Sequence, residues 1–137
     1  MPGDFLDSKI LVYAFSDDPR TVTARALLER GCTISVQGLN EFANVARRKM
    51  GLSWKETREI LATLQELLSV HPVTVETHET GLALAERYGF SIYDSMIVAS
   101  ALLAGCDRLL SQDMQHGLRL KEGSRVFDPF REARRSP

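Results

Sequence analysis

Four carboxylates stand where the chain changes character. Asp7 closes the apolar pair Phe5-Leu6 and is followed by a hydroxyl, Ser8. Glu41 lies five residues past the β-branched run Thr33-Ile34-Ser35-Val36, Asp94 follows Ser91-Ile92-Tyr93, and Asp113 comes three residues after Leu109-Leu110. If these acids converge, their chemistry is constrained by their charge. Two carboxylates about 4 Å apart repel by roughly 4 kcal/mol at an effective dielectric near 20. Four in one crevice would take up protons or move apart unless a divalent cation held them. Oxygen ligands with neither thiol nor imidazole beside them select Mg²⁺ or Mn²⁺ over Zn²⁺. The simpler alternative is that Asp7 and Asp94 are helix caps, since Ser91-x-x-Asp94 has the form of a capping motif.

The elements needed to bring such acids together can be read from the periodicity. The run over residues 8–16 is assigned as a helix capped by Ser8. Pro19 sits just inside the start of a second helix that Gly31 ends. A short strand over 33–36 precedes an amphipathic helix over 39–50, with Leu39, Phe42, Ala43, Ala46 and Met50 on its core side and Glu41 in its first turn. Ser53-Trp54-Lys55-Glu56 opens a further helix as a capping box, and Trp54 is expected to be partly buried or to meet a partner chain. A strand over 71–75, a helix over 77–88, an almost wholly apolar helix entered at Ser91, and strands over 107–110 and 125–127 complete the chain. Strands alternating with helices imply right-handed crossovers and an α/β fold with a parallel sheet of four or five strands. Ligands bind beyond the carboxyl ends of such strands. Asp7 and Asp113 should emerge together at that rim, with Glu41 in the helix leaving it. Periodicity alone does not bring Asp94 there.

The 137 residues form one expected domain, with the tail from about 131 loosely ordered. Hydrophobic residues at 44% and charged residues at 26% are ordinary for a soluble globular chain, and neither a membrane span nor a secretory leader is expected. Cys32 and Cys106 are far apart, without metal-ligand spacing, and are expected to be reduced and buried in a cytoplasmic protein. A net charge of −1 argues against a protein that coats nucleic acid wholesale. Local basic clusters remain, at Arg47-Arg48-Lys49 and at Arg131, Arg134 and Arg135.

Taken together, the motifs resemble those of PIN domains, specifically the single-domain nuclease toxins called VapC. The opening strand and helix are matched by Phe5-Leu6-Asp7-Ser8-Lys9-Ile10-Leu11, and the second acid by Leu39-Asn40-Glu41-Phe42. Tyr93-Asp94-Ser95-Met96 matches the third and Leu109-Leu110-Ser111-Gln112-Asp113 the fourth. Each motif is weak singly, but four in the right order at the right spacing are specific, and together they cover the chain from Phe5 to about Phe130. The resemblance implies a three-layer α/β/α fold and a Mg²⁺- or Mn²⁺-dependent endoribonuclease that cuts RNA to a 5′-phosphate and a 3′-hydroxyl. It also implies inhibition by a small antitoxin, and homodimerisation. On this reading Asp7 and Asp94 are the principal metal ligands, Glu41 a ligand or water-orienting base, and Asp113 an outer or second-metal ligand. Ser8 and Ser111 support the acids by hydrogen bonds, and Arg47 and Arg48 are candidates for holding substrate phosphates. The lone His116, and His71 and His78, are assigned no catalytic part.

Two positions depart from the family pattern. Lys9 replaces the usual Asn beside the acids; an ammonium reaching the crevice would compete with the cation. Asp4 stands where an apolar strand residue is expected and is read as an exposed chain start. A phosphoaspartyl enzyme using Asp7 would need a second Asp at position 9, where Lys9 stands. A PIN-like fold kept as a binding module with weakened or lost activity, and an RNA-processing nuclease without an antitoxin, are the remaining alternatives.

Overall fold

The computed structural model describes residues 3–114 and 117–131. The expectations for His116, Arg134, Arg135 and the tail beyond residue 131 lie outside these. In chain order the elements are β1 (Asp4–Leu6), α1 (Ser8–Ala14), α2 (Thr21–Glu29), β2 (Thr33–Ser35), α3 (Val36–Arg48), α4 (Trp54–Leu67), β3 (Ser69–His71), α5 (Val75–Tyr88), α6 (Ile92–Leu103), β4 (Arg108–Leu110) and β5 (Arg125–Phe127). All strand pairs are parallel, in the order β3-β2-β1-β4-β5. The chain works outward from β1 on one side, then returns to its other side with β4. The switch point therefore lies between β1 and β4, where an open α/β sheet forms its crevice.

Side-chain alternation along three-residue strands divides the core into two layers. Leu6, Ile34 and Leu110 face α1–α4, packing with Ile10, Leu11, Leu28, Phe42 and Leu64. Phe5, Leu109 and Val126 face the opposite way, against Leu84 of α5 and Val98 and Ala101 of α6. Each large apolar side chain removed from water in this way stabilises the fold by about 1.5–3 kcal/mol. The result is the expected α/β/α arrangement around a five-stranded parallel sheet. The two cysteines are free and buried, as expected.

Local chemistry shifts several boundaries. The strand expected at 71–75 lies at Ser69–His71 instead. Pro72 has no amide to give the ladder, and Thr74 already caps α5 through a reciprocal pair with Thr77. Helix α3 starts three residues earlier than expected, because Ser35 Oγ accepts the Gly38 amide at 3.0 Å. Glu41 consequently lies in the second turn rather than the first. Trp54 is 64% exposed, not partly buried, and its ring lies under the Arg47 guanidinium at 4.3 Å. At Gly81 any Cβ would come within 2.6 Å of Met96 Cε, so this glycine lets α6 settle closely against α5.

Candidate active site at the carboxyl rim of the sheet

Asp7 leaves β1 at the switch point, its amide donating to the Leu110 carbonyl at 3.1 Å. The register that pairs Leu6 with Leu110 places Ser111 beside it. Asp7 is 6% exposed and, in place of the expected Ser8, occupies the cap position before α1, yet its side chain forms no cap hydrogen bond. The helix-cap explanation therefore fails for this residue. Its carboxylate instead accepts a hydrogen bond from Ser111 Oγ at 2.9 Å, and Ser8 Oγ lies 3.3 Å from its other oxygen. Ser8 Oγ also reaches the Glu41 carboxylate, so one hydroxyl links two acids far apart in sequence. Ser111 Oγ in turn accepts the Asp113 amide at 3.3 Å.

Burial pushes the Asp7 carboxyl above its ordinary range, and the Asp113 and Glu41 charges push it further. The Ser111 hydrogen bond opposes this, as does the Lys9 amide in the first turn of α1. Among the described residues a cation meets the group directly: Lys9 Nζ stands 2.8 Å from Asp113 Oδ2. The pair is about half exposed, and the Asp113 hydrogen bond raises the Lys9 pKa. Of the two orientations open to Lys9, the structure takes the one into the crevice.

Topology directs the first turn of α6, which carries Asp94, to the same end of the sheet, but among the described residues Asp94 joins no group of three acids there. Helix α6 precedes β4 and runs against the strand direction, so its first turn lies at the strands' carboxyl end. The Asp94 amide is held by Ser91 Oγ at 3.1 Å, while its carboxylate makes no hydrogen bond or ion pair among the described residues. The capping motif is thus real, but its hydroxyl does the capping. Next to Asp94, Tyr93 lines a cavity of about 240 Å³ together with Glu41, Gln37, His78 and Met96. His78 is exposed but faces this cavity, which its place in the sequence gave no reason to expect. Arg47 and Arg48 lie roughly 10 Å farther along the α3 axis than Glu41, and Arg47 is engaged with the Leu52 carbonyl at 2.8 Å.

A supporting network joins residues nearly a hundred positions apart. Gln112, between Ser111 and Asp113, accepts hydrogen bonds from Tyr13 Oη at 2.8 Å and Arg20 Nη1 at 3.0 Å. Arg20 also lies over the Tyr13 ring at 3.9 Å. No periodicity signals this contact.

The donor set of Asp7, Glu41 and Asp113 with Ser8 and Ser111 is all oxygen, which suits a hard divalent cation. The repulsion that disfavours ionised Asp7 is the repulsion such a cation would relieve. Among the described residues no three His, Cys, Asp or Glu side chains are gathered closely enough to form a ready metal cluster. The donors fit in kind, then, and Lys9 stands where one of them would turn toward the ion.

A PIN-domain family model matches residues 5–117. The fold is similar to that of a toxin–antitoxin complex from Klebsiella pneumoniae, with a TM-score of 0.70 and 21% identity over 92% of this chain and 97% of that one. It is similar also to VapC20 of Mycobacterium tuberculosis, described as a sarcin–ricin-loop-cleaving toxin (TM-score 0.66, 20% identity, covering 80% and 91%). DNA-bound VapBC from Salmonella typhimurium gives a TM-score of 0.66 at 20% identity, covering 94% and 99%. No curated protein matches in sequence.

Proposed function

The chain belongs to the PIN-domain family, and on that footing we propose that it is a divalent-metal-dependent endoribonuclease, the toxin of a toxin–antitoxin pair. The observation that carries the reading is the hydroxyl-linked group at the switch point, where the buried Asp7 carboxylate is held by Ser8 and Ser111 and flanked by the charges of Glu41 and Asp113. Asp7, Glu41 and Asp113 would hold Mg²⁺ or Mn²⁺, with Asp94 contributing from the first turn of α6. When bound, that ion would acidify a water and neutralise charge on the phosphodiester. Ser111 and Ser8 keep the Asp7 oxygens aimed at the rim, and Glu41 is placed to take up a proton from the attacking water. Arg47 and Arg48 are proposed phosphate contacts at the outer end of α3.

The toxin assignment draws on the similarity to toxin–antitoxin complexes and implies a small antitoxin that covers the acidic rim. The exposed apolar side chains Val73, Ile92 and Tyr93 around the Glu41 cavity support pairing with a second copy. No helix among the described residues is long and apolar enough to cross a membrane, and the proposed setting is the cytoplasm. The Lys9–Asp113 pair favours a second reading, a nuclease of weakened activity. Cleavage of a panel of structured RNAs with Mg²⁺, Mn²⁺ or EDTA, beside Asp94→Asn, tests both. Cutting that needs metal and is lost in the variant is expected; metal-independent cutting or a fully active Asp94→Asn would overturn the nuclease mechanism, and weak metal-dependent cutting would mark the second reading.

A further inference from the structure

We infer that Lys9 is a resident counter-ion of the acid rim, which occupies Asp113 in the metal-free protein and must be displaced when a divalent cation binds. This rests on the nuclease reading above and adds to it a control on metal loading built into the chain. Lys9 is the second residue of α1, directly after the two that supply Asp7 and Ser8. Its backbone is therefore fixed beside the acids, and its four-carbon stem spans the crevice to place Nζ 2.8 Å from Asp113 Oδ2. From there the ammonium also feels the Asp7 charge. It offsets part of the repulsion that Asp113 and Glu41 exert on Asp7.

An ammonium can neutralise carboxylates as a divalent ion does, but it has no open coordination position with which to bind a water or a phosphate oxygen. While it sits on Asp113 the rim is electrostatically tolerable and chemically silent. The absence of a ready three-acid cluster among the described residues is consistent with that resting arrangement. Loading a cation then becomes an exchange, in which Asp113 gives up Lys9 as it turns to the ion.

The test is calorimetric titration of Mn²⁺ into the full chain without RNA, for the parent, Lys9→Met and Lys9→Arg. Lys9→Met, which keeps the stem and removes the charge, should bind Mn²⁺ about two- to fivefold more tightly, the factor that a half-exposed ion pair supports. Lys9→Arg should stay near the parent. Should Lys9→Met fail to fold, Lys9→Asn takes its place. In the parent, acetylation of the Lys9 amine, read by mass spectrometry, should rise when Mn²⁺ is added, because the ammonium is released. Equal affinities in all three proteins, weaker binding by Lys9→Met, or labelling unmoved by Mn²⁺ would each overturn the inference while leaving the nuclease reading standing. Absence of Mn²⁺ binding in every variant would remove both.

Discussion

Asp4 and Asp7 belong to one short stretch of chain and are buried alike, at 8% and 6% exposed, yet they have opposite surroundings. Asp4 lies at the amino edge of the sheet, where Arg108 grips it through Nε and Nη2, both at 2.6 Å, and Arg30 adds a contact at 2.5 Å. Asp7 lies at the carboxyl edge among Asp113, Glu41 and two serines. Burying a carboxylate therefore does not mark a site for chemistry. What matters is whether the protein supplies its neutralising charge or leaves most of that to a ligand. Cavity size misleads on the same point: a cavity of about 580 Å³ opens at the arginine-bound end, against about 240 Å³ beside Glu41. Asp4 was expected at an exposed chain start. It is instead part of a strand whose register with β4 sets Arg108 opposite it, while Arg30 reaches it from the end of α2, so neither partner is adjacent in sequence.

The comparison is broken most severely through Asp7. Asp7→Asn should lower RNA cleavage by more than about a hundredfold, exceeding the ten- to hundredfold loss usual for an outer partner of a metal ligand. Its melting temperature in EDTA should not fall, because the variant removes a repelled charge. Initial rates with circular-dichroism melts decide it, and an active Asp7→Asn would place the chemistry elsewhere.

Asp4→Asn should do the reverse. It leaves Arg30 and Arg108 without their carboxylate and should cost about 1–3 kcal/mol in urea unfolding, since both guanidinium groups are partly exposed. Cleavage per folded molecule should remain at the parental level. If activity collapsed with stability intact, the two ends of β1 would not be functionally separate.

The smallest effect is in pH. Asp7 holds its proton more tightly in the folded chain than at the ordinary carboxylate value of 3.8. The stability this confers is fully present below that value and is lost as pH rises through the raised one. In EDTA the melting temperature of the parent should therefore decline over that interval by a few degrees relative to Asp7→Asn. Parallel profiles for the two proteins would show that Asp7 ionises freely.

Much of this was legible along the chain, because it rests on local signals. Apolar runs ending at Asp7 and Asp113, the helical stripe of α3, and the serine before each of α4 and α6 fix the elements to within a few residues. Their alternation fixes a parallel sheet, and a parallel sheet puts strand ends, hence Asp7 and Asp113, on one rim. Other features needed the third dimension. The antiparallel run of α6 directs its first turn, with Asp94, to that end of the sheet, the hydroxyl of Ser8 joins Asp7 to Glu41, and Gln112 is held by Tyr13 and Arg20. Lys9 could equally have pointed to solvent, and Asp4 could have remained exposed. Sequence determines which groups are available, since propensity and periodicity act between near neighbours. Which charge meets which is decided by packing between elements far apart in the chain, and here that packing gave Asp4 its arginines and left Asp7 among acids.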